Sequence, residues 1–168
     1  MNPASLLMGA ALLFAACSGP EEVRELRSET MSIVLEAPLF EGPNPGQYEW
    51  VFDLTESLQL EEPREVKRAR VTQAVLTPGD SLGFQKMRSF VLSLASDNPD
   101  VRMQEVAFVN PVDASSESIA MAVAEEADVA AHVAEGKAYI VLDVDLAEDE
   151  WELNRTLSLD LTLELGLN

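Results

Sequence analysis

The side chains best suited to chemistry in this sequence are carboxylates that cluster near the C-terminus. Asp143, Asp145, Glu148, Asp149 and Glu150 lie close together in the chain. Hard cations such as calcium bind about six to eight oxygens from carboxylates and carbonyls. The spacing does not match an EF-hand loop, but a β-sandwich loop can bind calcium without that motif. Asp143, Asp145, Glu148 and Asp149 are therefore candidate metal ligands, against the commoner alternative of a solvated acidic loop.

Catalytic arrangements have little basis in the residues present. Paired carboxylates serve as acid and base in glycosidases, but 30 acidic residues make such pairs inevitable. His132 is the only histidine, so a Ser-His-Asp triad would need a serine and an acid placed around it. We expect His132 to be a surface or edge residue. The sequence indicates a protein that is not an enzyme and has no cofactor, calcium remaining a weak alternative.

The formal net charge of −19 restricts the partners of this protein. Such a domain repels DNA, RNA and anionic head groups, so we expect no nucleic-acid partner, whereas cations and basic protein surfaces are better candidates. Solubility alone also accounts for an acidic surface. The only basic cluster is expected to pair with the domain's own acids; it consists of Arg64, Lys67, Arg68 and Arg70.

The N-terminus reads as an export signal. Residues 5–16 form an uncharged apolar run, too short for a spanning helix of roughly 20 residues. The run ends at Cys17, the only cysteine, which is followed by Ser18, Gly19 and Pro20. An ordinary cleaved signal or a retained anchor are the alternatives, but a lone cysteine at this position favours lipidation.

This segment resembles the lipobox of bacterial lipoproteins, in which a leucine-rich run and two small residues precede the cysteine. The resemblance implies that residues 1–16 are a signal peptide and that the Cys17 thiol receives a diacylglycerol. Cys17 would then be the first residue of a membrane-anchored mature protein. Because Ser18 stands where an Asp would retain the protein in the inner membrane, the resemblance implies the outer membrane of a Gram-negative cell.

Alternation of apolar and polar residues predicts β-strands in the rest of the chain. Every second residue from Leu157 to Leu167 is leucine, which places all six on one face of a strand. Three other segments alternate similarly, and their one-face residues are Tyr48, Trp50, Phe52 and Leu54; Phe90, Leu92 and Leu94; and Ile140, Leu142, Val144 and Leu146. Weaker patterns cover 31–37, 66–76, 101–109 and 117–124. The aromatic residues near Trp50 are expected in the core rather than on a sugar-stacking platform.

Turn residues separate these runs and complete the fold prediction. Gly, Pro, Asn and Asp at 42–46, 78–80, 97–100 and 110–111 favour chain reversals. The pattern predicts a mainly β domain, an antiparallel β-sandwich of about eight strands. The Ala-rich residues 115–135 are interpreted as a strand followed by one or two helical turns, so at most one short helical segment lies near 125–135.

Three regions are expected along the chain: a signal peptide at 1–16, a lipidated tether at 17–30 that is partly helical at most, and a sandwich domain at 31–168. We expect a lipid-anchored, non-enzymatic interaction or structural module of the cell envelope, bound to the membrane through Cys17 and to an unidentified envelope protein. The alternative is a carbohydrate- or calcium-binding domain.

Overall fold

The leucine-rich C-terminus forms the longest alternating strand of the fold. In a computed structural model that describes residues 21–168, this strand spans Arg155–Leu167. The described part contains ten strands: β1 (Glu22–Arg27), β2 (Met31–Leu35), β3 (Gly42–Val51), β4 (Val66–Pro78), β5 (Met87–Ala95), β6 (Gln104–Val109), β7 (Ile119–Ala120), β8 (Ala122–Val123), β9 (Lys137–Leu146) and β10 (Arg155–Leu167). It also contains two single-turn helices, α1 (Leu54–Ser57) and α2 (Ala130–Val133).

The strands form two antiparallel sheets of five strands each. In the first sheet β10 pairs with β4 on one edge, while β1 and β2 share its other edge; β7 pairs with the far side of β4. The second sheet has the order β3-β9-β5-β6-β8. The predicted antiparallel sandwich is therefore confirmed.

The core lies between the two sheets, where their apolar faces meet. The six alternating leucines of β10 are no more than 1 % exposed, and the same holds for Ile140, Leu142, Val144 and Leu146 of β9. All of them belong to one hydrophobic cluster. At Gly46 a Cβ atom would lie 2.5 Å from Cγ2 of Ile33, so the close approach of β3 to β2 requires glycine there.

The prediction of a tether over residues 17–30 is wrong for 22–27, which form β1. This strand pairs with the C-terminal half of β10, from Glu22 opposite Leu167 to Arg27 opposite Thr162. Leu26 is the one fully buried side chain of β1, so apolar periodicity could not identify the strand. It forms because the edge of β10 offers backbone hydrogen bonds that a polar sequence can satisfy.

The turn predicted at 42–46 is also wrong, because these residues begin β3. Pro43 and Pro45 pair in register with Asp145 and Asp143 of β9. Proline lacks a backbone N–H and is tolerated in a sheet chiefly on edge strands. β3 is such a strand, bonded to β9 on one side only.

The remaining predictions agree more closely with the structure. Trp50 is 3 % exposed and packs against Phe52, with 4.4 Å between ring centroids, which confirms it as core. Leu54 lies in α1 rather than on the strand face, because Asp53 caps that helix through the Glu56 N–H. In the region 115–135 the single predicted strand is instead two short strands, β7 and β8, which belong to different sheets; α2 follows them, as expected. The helix α1 was not predicted.

A buried arginine fixes the start of β10. Arg155 is 1 % exposed, and its guanidinium donates to Asp80 Oδ2 at 3.2 Å and to the carbonyls of Gln85 and Gly83 at 3.1 and 2.6 Å. Burial alone would raise the pKa of Asp80. The N–H groups of Thr156 and Leu82 and the Arg155 charge outweigh that effect and hold the pKa of Asp80 below its ordinary value.

Truncation of a core leucine of β10 should be costly. Leu161→Ala leaves a cavity between the sheets, and we expect it to lower the free energy of unfolding by about 2–5 kcal/mol. Ser158→Ala on the opposite face is the control and should change it by no more than about 0.5 kcal/mol. Urea denaturation measures both variants, and equal losses would contradict the burial pattern.

Removal of the Asp80 charge should give a pH-dependent loss. Asp80→Asn leaves the buried Arg155 without its carboxylate, and we expect a loss of about 3 kcal/mol near neutral pH. Because the pKa of Asp80 is lower in the folded than in the unfolded state, its stabilisation is present above about pH 3.9 and disappears as the pH falls through the folded value. Urea denaturation should therefore show wild type and variant converging below that pH. Asp100→Asn, in an exposed loop, is the control, and a difference that persists in acid would refute the assignment to ionised Asp80.

Candidate functional site

The acidic segment lies at the end of the sandwich where the chain crosses from β9 to β10. Asp143 and Asp145 are on β9, on the face opposite the buried Leu142 and Val144. The other candidate ligands, Glu148 and Asp149, are exposed in the following connection.

The structure does not bring the four candidate metal ligands to one centre. Glu148 pairs with Lys86 at 3.1 Å, and Asp145 Oδ1 lies 3.4 Å from Arg88 Nε, an ion-pair contact without hydrogen-bond geometry. Asp149 Oδ1 accepts a hydrogen bond from the Glu41 N–H at 2.8 Å. Within residues 21–168, no group of three His, Cys, Asp or Glu side chains is arranged to hold a metal ion. The geometry therefore adds no support to the calcium alternative.

The lysine of this region is shared by two carboxylates. Lys86 lies 3.1 Å from Glu148 and 3.5 Å from Glu150, and the Glu148 hydrogen bond is the main reason that the pKa of Lys86 is raised. A hydrogen bond from the Glu152 N–H and the Lys86 charge hold the pKa of Glu150 below its ordinary value. Each basic group at this end is thus already engaged by the domain's own acids.

Two connections between the sheets run side by side at this end. One links β2 to β3, the other links β9 to β10, and Leu39 and Glu150 join them through two backbone hydrogen bonds of 2.7 and 2.8 Å. Asn44, which is buried, accepts from the Phe40 N–H at 3.0 Å and donates to the Phe40 carbonyl at 2.7 Å. Asn154 Oδ1 accepts from the Ala37 N–H at 2.8 Å. These bonds fix both connections to the ends of the strands.

Leu39 and Glu150 form a backbone bridge, and the residue that follows each of them presents an aromatic ring to solvent. Phe40 is 52 % exposed and Trp151 is 62 % exposed, although their rings meet edge to face with centroids 5.6 Å apart and planes at 87°. We call Phe40 and Trp151 the aromatic pair. Leu153, two residues further along, is also exposed. Large exposed apolar side chains gathered at one place on a domain are typical of interaction surfaces.

The aromatic pair was not predicted from the sequence. Trp151 and Leu153 stand two residues apart and in phase with the leucines of β10, so the two-residue period gives no signal that Trp151 is exposed. Phe40 carried no signal either, since its proximity to Trp151 depends on the bridge between Leu39 and Glu150.

Comparison with known proteins identifies no family for the chain. No protein-family model matches it, and no curated protein matches it. Among solved structures, a chain of the empty head of turnip yellow mosaic virus is similar at a TM-score of 0.29 and 8 % identity, over 98 % of this chain and 90 % of that chain. A similarity at that level supports no functional inference.

His132 is a buried structural residue and does not line the surface groove beside Arg70. His132 was expected at the surface, but it is 5 % exposed in α2, with Nε2 2.9 Å from the Arg102 carbonyl oxygen. In α2 the side chains of His132 and Val133 are buried, while Ala131 is exposed. A groove of about 330 Å³ is lined by Arg70, Val71, Thr72, Val123 and Glu125, and His132 is not among its lining residues.

The basic cluster pairs with the domain's own acids, as expected. Arg64 lies 3.3 Å from Glu22, and Arg70 lies 2.9 Å from Glu164. Lys67 and Arg68 pair with Glu65 and Glu21 in the same way. The cluster is therefore part of the sheet surface rather than a site for a foreign anion.

Membrane attachment remains a prediction from the sequence, because the signal peptide at 1–16 and the lipidated Cys17 lie outside the residues that the structure describes. Within the described range, neither helix is long and apolar enough to cross a bilayer.

We expect calcium to stabilise the fold no more than any other salt. The four candidate ligands do not converge on one centre in the described residues, so only general screening of like charges should operate. Thermal melts in calcium, magnesium and sodium at matched ionic strength should give equal midpoints. A rise specific to micromolar calcium, lost in Asp145→Asn, would instead establish a metal site by mass action.

Proposed function

We propose that this chain is a lipid-anchored, non-enzymatic interaction module of the bacterial cell envelope. The anchor is the lipid on Cys17, and the interacting part is the sandwich that follows it. The outer membrane is the proposed location, since Ser18 rather than Asp follows the cysteine. The observation that carries the interaction role is the exposed aromatic pair on its hydrogen-bonded bridge.

The position of β1 supports the anchoring part of the proposal. β1 begins at Glu22, so the chain between it and Cys17 can span at most about 17 Å. A tether of that length holds the sandwich next to the lipid surface instead of letting it range through the envelope. The diacylglycerol chains, at about 0.8 kcal/mol for each buried methylene, would hold the protein firmly.

The aromatic pair lies at the end of the sandwich opposite to the start of β1, which the proposed anchor precedes. Glu22 lies opposite Leu167 at the end of β10, whereas the bridge lies near Arg155 at its start. The thirteen residues of β10 separate the two ends by roughly 40 Å. The pair would therefore face away from the membrane, where another envelope protein can reach it.

The position of Trp50 gives no support to the carbohydrate-binding alternative. A sugar platform at Trp50 would need an exposed ring, and Trp50 is 3 % exposed in the core. We therefore retain the interaction module as the proposed function.

The anchor can be tested by removing the acceptor thiol. Cys17→Ser should abolish incorporation of labelled fatty acid and move the protein from the membrane to the soluble fraction, because the acyl chains are lost and the apolar run 5–16 is too short to span a bilayer. Ser18→Ala is the matched control and should remain acylated. Absence of label in the wild-type protein would overturn the anchoring proposal.

A further inference from the structure

The aromatic pair is presented as a rigid surface rather than on a free loop. The backbone bonds between Leu39 and Glu150 and the Asn44 hydrogen bonds to Phe40 hold both connections in place before any partner binds. Exposed aromatic rings have few rotatable bonds, and a fixed backbone further reduces the entropy lost on association. The two rings therefore have the features of binding hot-spot residues, which are most often aromatic or arginine.

The charge around the pair is strongly negative. Residues 36–41 and 147–153 contain six carboxylates and no Lys or Arg. Two basic residues pair with three of the six carboxylates. Lys86, in the turn before β5, pairs with Glu148 and Glu150. Arg88, on β5, pairs with Glu41. In the described part of the chain the other three form no ion pair; they are the exposed Glu36, Asp149 and Glu152. We call these three the acidic rim.

From this combination we propose that the aromatic pair and the acidic rim form the docking site for a Lys- and Arg-bearing segment of a partner protein. Apolar parts of the segment contact Phe40 and Trp151, while an ammonium or guanidinium group lies over the indole face and near the rim carboxylates. A cation over tryptophan is favourable even at exposed sites, and the rim adds Coulomb attraction. The proposal rests on the proposed function as an interaction module and specifies its partner.

The same charge argues against other occupants. A second copy of this chain would bring its own acidic rim and net charge of −19, so like charges would oppose self-association. Nucleic acids and anionic lipid head groups are repelled for the same reason. A sugar ring prefers one flat aromatic face, whereas these two rings stand at 87° to each other.

The experiment measures binding of a synthetic peptide to the full chain purified in nonionic detergent. The probe is a short dye-labelled peptide of Lys, Arg, Leu and Ser, and fluorescence anisotropy reports its affinity. We expect binding that weakens with salt and shifts the emission of the exposed Trp151, since the buried Trp50 is screened from the peptide. Phe40→Ala and Trp151→Ala should each weaken binding by at least about tenfold.

Matched variants separate this site from general attraction between opposite charges. Glu36→Gln with Glu152→Gln keeps both rings and should weaken binding several-fold and flatten its salt dependence. Glu125→Gln with Glu126→Gln makes the same charge change elsewhere on the surface, and Phe108→Ala removes another exposed ring; both should bind like wild type. Thermal melts confirm that each variant is folded.

Four results would overturn the proposal. The first three are no binding of the basic peptide, equal weakening in the rim and control variants, and equal binding of a peptide with Glu in place of Lys and Arg. Displacement of the basic peptide by a neutral oligosaccharide would also overturn it and would favour carbohydrate binding. Fatty-acid labelling is independent of this titration, so failure of the anchor and failure of the docking site are distinguishable.

Discussion

Pairing along both edges of β10 is the constraint on which the rest of the fold depends. One edge pairs with β4 over nearly the whole strand, and the other is divided between β1 and β2. The gap between β1 and β2 is filled by Ser28, whose N–H donates to the Leu161 carbonyl and whose hydroxyl accepts from the Leu161 N–H. With both edges bonded, one face of β10 is free to bury its leucines, and the second sheet packs over them.

The parts of this fold that sequence could predict are those where burial sets the side-chain period. In β9 and β10 one face is buried and the other is not, so a two-residue period identifies each strand. The strands that were missed or misplaced depend on backbone pairing instead. β1 has little apolar pattern, and the prolines at the start of β3 indicate a turn unless the strand is known to lie at a sheet edge.

For a related reason, the sequence predicted the acidic part of the candidate site but not its aromatic part. The acidic run at 143–150 is contiguous and could be identified directly, yet ion pairs with Lys86 and Arg88 distribute its carboxylates among different partners. Phe40 and Trp151 are far apart in the chain, and they meet because the two inter-sheet connections run side by side and pair at Leu39 and Glu150. The burial of His132 could not be predicted either, because it follows from the tertiary packing of α2 and not from the Ala-rich sequence around it.

The pairing of β1 with the last half of β10 has a mechanical consequence. A chain held at Cys17 and loaded at the aromatic pair would be pulled along the axis of β1, away from the domain. Because β1 lies alongside β10 from Glu22 to Arg27, that force acts in shear and strains all of its inter-strand hydrogen bonds together. Strands peeled apart from one end break such bonds in succession and resist far less. With the proposed anchor on Cys17, the pairing of β1 with β10 would therefore bear tension over the whole length of β1.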